Sequence, residues 1–329
     1  MVYIKNSTQS IIDDNIQGLL RINPNLYQLG KSRILYNSLQ DSSVIPILSG
    51  GGSGHDTAHY GYIGQGMLSA AIAGDLFTPP SYSEILEAIR FLNKGNGVFI
   101  IIKNFEADLQ EFSKAINIAR EEGIPVKYIV SYDGISVETT NFHLRHRGVA
   151  GTILLHKILG HAAQNGASLD ELEQIGLKLS SHIATLGVAT KPATLPTNNK
   201  PMFSLTESNI SFGIGINGEP GYKVEPFISS EILANELINK IKRYFRWKDG
   251  DRYAVLINNL GGTTQIELNI FTNDVLQLLE VEGIKVEFLK VGTFITSLDM
   301  SGVSLTLCQL DDDYWLNALN SPTTAQAWN

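Results

Sequence analysis

Four glycines in five positions, Gly50-Gly51-Gly52 and Gly54, lie between Ser49 and His55. Backbone without side-chain walls lets another group come close to its N–H donors. The stretch follows an apolar run, Val44 to Leu48, and leads into a segment rich in small residues, Ala58 to Ala73. That order reads as strand, glycine loop, helix. A helix start adds a partial positive charge and unpaired N–H groups, and His55 and His59 would then share one helical face. The combination suits a small polar ligand or a phosphate ester. A bare glycine turn between strand and helix has the same pattern.

A second set of groups stands further on. Gly97 to Ile102 is a continuous apolar run, the mark of a strand buried on both faces of a parallel sheet, and it ends at Lys103 with Asp108 shortly after. Ligands of open α/β sheets bind beyond the carboxyl ends of the strands. The glycine loop follows one such end and Lys103 another, so Gly51, Gly52, His55, Lys103 and Asp108 are expected to converge. A structural or surface ion pair between Lys103 and Asp108 is the plainer alternative.

The elements that must position these groups follow from periodicity. Ile11 to Ile22 has loosely helical spacing before Pro24. Met67, Leu68, Ala71 and Ile72 suggest a helix over Gly61 to Phe77, stopped by Pro79-Pro80. Ser81 followed by Glu84 is a capping-box start for a helix to Leu92. A helix from Ala107 to Glu121, closed by Gly123, precedes a strand from Pro125 to Val130. Strand–helix alternation of this kind predicts an α/β fold whose first domain is a doubly wound, mostly parallel sheet.

Two long helices are expected over Gly148 to Asn165 and Leu169 to Leu186. Gly187 to Pro201, rich in proline and asparagine, is the linker candidate, which gives domains at 1–188 and 189–329. The second domain is also α/β. Its strands are expected near Ser211 to Ile216, Tyr253 to Ile257, Val286 to Val291 and Ser304 to Leu310, with helices over Ser230 to Tyr244 and Thr264 to Glu282. Three polar turns at strand ends, Asn217 to Gly221, Asn258 to Gly262 and Thr296 to Met300, suit the lining of a cleft or interface, or are plain turns.

Composition narrows the function. The 329-residue chain has a net charge of −8, which argues against direct contact with nucleic acid or an anionic membrane. The short cluster Arg145-His146-Arg147 is its only notable basic patch. The single cysteine, Cys308, excludes an intrachain disulfide and a thiol metal site, and reads as a buried structural thiol. His143, His146, His156, His161 and His182 lack convincing metal spacing and read as structural or surface residues. No metal and no cofactor is expected. The polar N-terminus is unlike a secretory signal and no long apolar run spans a membrane, so the cytoplasm is the expected location. No phosphate-binding loop or kinase glycine loop occurs. Any phosphoryl donor would have to come from another protein.

Taken together, these motifs resemble the dihydroxyacetone-binding K subunit of bacterial dihydroxyacetone kinases. The resemblance covers nearly the whole chain. It rests on Ser49 to His55 with Ala58-His59, Ile101 to Asn104 with Asp108, Arg147 to Ala150, Gly213 to Gly221, Asn258 to Gly261 and Thr296 to Met300. It implies two α/β domains, a homodimer and a pocket for a three-carbon ketone. The glycine loop and the positions of His55, Lys103 and Asp108 would bind the hydroxyls. His55 and Asp108 would be the acid–base candidates if the chain catalyses. The phosphate would come from a nucleotide-bearing kinase subunit fed by the phosphotransferase system.

One departure stands out. Where the family reads Gly-x-Gly-Ile-His-Gly-Glu-Pro-Gly, this chain has Asn217 in place of histidine. The family histidine attacks the ketone carbonyl and holds it as a hemiaminal. An amide nitrogen with a delocalised lone pair is a poor nucleophile, though it still forms hydrogen bonds. Asp56-Thr57 also replaces the usual Glu-Pro. The chain therefore resembles the regulatory paralogues of the family, co-activators with a TetR-type transcription regulator, with non-covalent dihydroxyacetone binding as the implied input. The catalytic dihydroxyacetone-binding subunit is the alternative.

Overall fold

The computed structural model describes residues 3–136, 146–219 and 221–328. The chain divides into two compact units, Met1–Ser131 with Ile153–Ser180 and Ser321–Asn329, and Tyr132–Thr152 with Ser181–Asn320. This division differs from one at 188/189, and the reason is local. Ile183–Lys191 is a single strand of the second unit, so a cut there would break a hydrogen-bonded ladder.

The first unit is built on a six-stranded sheet of order β1-β2-β4-β3-β5-β6. Its strands are β1 (Leu26–Gln28), β2 (Ile34–Asn37), β3 (Ile47–Ser53), β4 (Ala70–Leu76), β5 (Val98–Lys103) and β6 (Val126–Ser131). β4, β3, β5 and β6 run parallel, and β2 pairs antiparallel with both β1 and β4. All six residues of β5 are buried, as a strand covered on both faces requires.

Alternation along the strands assigns their faces. Leu48, Val98, Ile100, Ile102 and Val126 pack with α2 (Tyr82–Leu92) and α3 (Glu106–Glu121). Ser49, Phe99, Ile101, Lys103 and Ile129 therefore face the other way, toward α4 (Thr152–Gln164) and α5 (Leu169–Ser180). His156 of α4 meets Ser49 there, and Gly176 of α5 packs on Ile129. α1 (Ile11–Ile22) is present, and the capping box of α2 is complete, Ser81 accepting from the Glu84 N–H while Glu84 accepts from the Ser81 N–H.

Two expectations fail here. Gly61 to Phe77 is not a helix. It holds only a 3₁₀ turn, Tyr60–Tyr62, followed by β4. The small residues of β4 look helical because this strand is flanked by strands on both sides and does not alternate. Their size serves close packing: a Cβ on Gly50 would lie 2.3 Å from the Ile72 carbonyl oxygen. Consequently His55 and His59 lie on an irregular turn rather than on one helix face. The helix predicted to reach Leu186 ends at Ser180, because the β-branched and apolar run from Ile183 is strand.

The second unit carries the order β11-β10-β12-β7-β8-β9. These are β7 (Ile183–Lys191), β8 (Asn209–Phe212), β9 (Lys223–Pro226), β10 (Arg252–Asn259), β11 (Lys285–Gly292) and β12 (Ser301–Gln309). Among the described residues of this sheet, only β10 and β11 are parallel neighbours. α6 (Ser230–Phe245) and α7 (Gln265–Val281) cover the sheet with Leu237, Ile241, Phe271 and Val275 against Val188, Val255 and Leu305, and α8 (Asp313–Asn320) follows β12. Cys308 is buried in β12, and burial pushes its thiol pKa up.

Two of the polar turns are largely spent on the fold. Asn258, fully buried, accepts from Phe294 and Ile295 N–H and donates to the Ile295 carbonyl and Ser304 Oγ. Asp299 accepts from the Thr194 N–H at 2.6 Å. Stitching of this kind accounts for the polarity of Asn258 and Asp299.

Candidate functional site

Register alone brings the first-unit groups together. Ser49 of β3 stands opposite Ile101 of β5, so two residues further on Gly51 lies beside Lys103, the last residue of its strand. α3 begins immediately after, and its first turn supplies Asp108. Gly51 has φ +147°, and a Cβ there would lie 2.5 Å from Lys103 Nζ and 2.8 Å from Asp108 Oδ1. The missing side chain is thus the space these two groups occupy. A Cβ on Gly52 would lie 2.7 Å from the Thr78 nitrogen. Its neighbour Phe77 packs edge-on against His55, ring centroids 5.2 Å apart.

The glycine triplet continues the strand, since β3 runs through Ser53. No α-helix starts at His55, so a helix dipole contributes nothing at this point. What the site offers is a concentration of buried polar groups. Ser49, His55, His59, Lys103, Asp108 and His156 are each at most 6 % exposed. Lys103 Nζ donates to the Gly50 carbonyl at 2.7 Å and sits 2.5 Å from His59 Nε2. Ser49 Oγ donates to the Ile101 carbonyl at 2.8 Å, with His156 Nε2 3.3 Å away. The His59 and His156 rings meet edge to face at 5.2 Å.

Burial lowers the Lys103 pKa, and the charge of Asp108 opposes that. Burial also holds His59 well below the usual imidazole range, helped by Lys103, His156 and His55. The same effect, with Lys103 nearby, takes His156 to about 3. The cluster therefore combines an ammonium donor, a carboxylate acceptor and imidazoles at one strand end. Such a set can both donate to and accept from a small ligand dense in oxygen.

The structure gathers Gly51, Lys103 and Asp108 around one point, with Gly52 and His55 linked to them through the glycine strand and Phe77. Two contributors escaped the sequence reading. His156 lies 107 positions from Ser49 and carries no local signal of its partnership. The sequence spacing pairs His59 with His55 on a helix face, whereas its ring turns to Lys103. His182 is an ordinary case, 2.8 Å from Asp311. His143 and Arg145 fall outside the described residues.

Asn217 belongs to the second unit, in the turn between β8 and β9. Its backbone N–H donates to Glu219 Oε2 at 3.0 Å and its Nδ2 to Oε1 at 2.9 Å. One carboxylate thus fixes both the turn and the amide orientation. Among the described residues no helix is long and apolar enough to cross a membrane.

Comparison with known proteins places this geometry. The Dak1 domain matches residues 17–327. The DhaKLM operon coactivator DhaQ of Lactococcus lactis is 55% identical over 325 residues, covering 98% of this chain and 99% of that protein. The dihydroxyacetone-binding subunit DhaK of a phosphotransferase-dependent kinase from the same organism is 42% identical over 326 residues, covering 99% and 98%. A solved structure of a dihydroxyacetone kinase operon co-activator superposes with a TM-score of 0.92 at 56% identity, covering 96% of this chain and 97% of that one. The chain belongs to the Dak1 domain family.

Proposed function

We propose that this chain is a regulatory paralogue of the dihydroxyacetone kinase K subunit. It binds dihydroxyacetone without a covalent bond and, as a homodimer in the cytoplasm, acts as co-activator with a TetR-type transcription regulator. Gly51, Gly52, His55, Lys103 and Asp108 of the first unit contact the ligand, and Asn217, in the motif position of the family histidine, offers hydrogen bonds in place of a covalent one. The observation that carries this reading is Asn217 in the motif position of the family histidine, its amide nitrogen engaged by Glu219. A conjugated amide nitrogen has no free lone pair to attack a carbonyl. The similarity to a named operon coactivator supports the same conclusion.

A sensor must bind its ligand with different affinity in its two states. Non-covalent capture suits that task, because release stays as fast as capture is weak. DNA contact falls to the regulator, in keeping with the charge of −8. The competing reading is a working kinase subunit that positions its substrate by hydrogen bonds alone.

Phosphorylation of dihydroxyacetone, assayed with the family's nucleotide-bearing companion subunit and phosphodonor, separates the two. The native chain is expected to show no turnover, and Asn217→His to gain it. Turnover by the native chain would make it a kinase subunit.

A further inference from the structure

We infer that His59 and His156 are positioning residues, held uncharged, that aim the Lys103 ammonium at the edge of Gly51 so that one fixed cation faces the ligand. The proton positions follow from the donor geometry. Lys103 Nζ donates to the Gly50 carbonyl, which can only accept. As an ammonium it has donors and no acceptor, so His59 Nε2 must accept from it and the His59 proton sits on Nδ1. Ser49 gives its only hydroxyl proton to the Ile101 carbonyl. His156 Nε2 must therefore donate to Ser49 Oγ, and its proton sits on Nε2. The two histidines are opposite tautomers of the neutral ring.

The arrangement leaves little freedom. Two of the three ammonium protons are directed to Gly50 and His59, and the remaining face is on the side of Gly51 and Asp108. The titratable groups facing Lys103 are His59 from the turn after β3, Asp108 from α3 and His156 from α4, with His55 next to His59. A protonated His59 or His156 would place a second buried cation beside Lys103 and turn its ammonium away. Desolvation in this cluster keeps both rings neutral. His59 is thus an acceptor that supports the charge of its neighbour, and His156 a neutral wall behind it.

This deepens the functional reading and depends on it only for the identity of the ligand; the proton positions belong to the free chain. They are read directly from ring-nitrogen shifts of the full-length protein labelled with ¹⁵N-histidine. His59 is expected as the Nδ1–H form and His156 as the Nε2–H form, both unchanged from about pH 8 to about pH 5.5. Either ring titrating near its ordinary value of about 6.5, or the reverse tautomers, would overturn the inference.

A second measurement follows dihydroxyacetone affinity against pH by calorimetry. Binding is expected to weaken as Lys103 loses its proton. In His59→Leu, which removes the acceptor, this alkaline limb moves about one pH unit lower, the worth of one hydrogen bond to a charged group. His59→Gln restores an acceptor and keeps the native profile to within about threefold. Identical profiles in all three chains would overturn the positioning role. A native chain that does not bind dihydroxyacetone would instead sink the functional reading, with the nitrogen shifts still deciding this one. They also decide it should His59→Leu not fold.

Discussion

Lys103→Met is expected to abolish dihydroxyacetone binding and to lower the unfolding free energy by about 3–5 kcal/mol, the usual cost of leaving a buried charge uncompensated. Methionine roughly matches the length of lysine but supplies no donor. The Gly50 carbonyl loses its partner, His59 Nε2 loses the group it accepts from, and the Asp108 carboxylate, 6 % exposed, keeps its burial without its cation. Urea unfolding monitored by circular dichroism gives the stability term, and calorimetry gives the binding term. Asp108→Asn makes an informative companion, since it retains the shape while removing the opposing charge. A Lys103→Met chain with native stability and native affinity would show that the cluster is neither a charge pair nor a ligand site.

The second large effect is at Gly51. Gly51→Ala places a methyl group 2.5 Å from Lys103 Nζ and 2.8 Å from Asp108 Oδ1, at a backbone φ of +147°. Strained backbone of this type costs about 1–3 kcal/mol by itself. The clash must also push aside the two side chains proposed to hold the ligand, so affinity is expected to fall by about 100-fold or more, the loss of two charge-assisted hydrogen bonds. Gly95→Ala is the matched control. Gly95 also has a positive φ, +107°, but a Cβ there meets nothing within 4 Å. That variant is expected to lose some stability and no affinity. If both variants lowered affinity alike, the effect would be general destabilisation rather than loss of the Gly51 space.

Much of the first unit was legible because its signals are local and redundant. The run to Lys103 announced a doubly covered strand, and the Ser81–Glu84 pair announced a helix start that the structure contains. β4 carries a helical pattern in the sequence for a physical reason. A strand of alanines and glycine packed between β2 and β3 is selected for smallness, and smallness imitates helix propensity. The end of α5 was misplaced because Ile183 to Leu186 continues the apolar pattern without a proline or glycine to mark the change.

The site was legible in part. Convergence of Gly51 with Lys103 and Asp108 follows from strand order and register, which alternation and sheet topology allow one to anticipate. The partnership of Ser49 with His156 depends on where α4 returns to the sheet, and nothing near either residue encodes that. The same holds for the division of the chain. The C-terminal stretch from Ser321 belongs to the first unit although it follows the last helix of the second, and composition does not register a return held by backbone bonds such as Ala327 N–H to the Gly61 carbonyl.

The central claim, that the bound ketone is a signal, is tested most directly by the affinity of the full chain for a TetR-type regulator with and without saturating dihydroxyacetone. Ligand-linked switching predicts that dihydroxyacetone tightens this association by about 5–150-fold, the range of ordinary allosteric coupling, and that Lys103→Met removes the gain. Equal affinity with and without dihydroxyacetone, in a chain shown to bind the ketone, would contradict it.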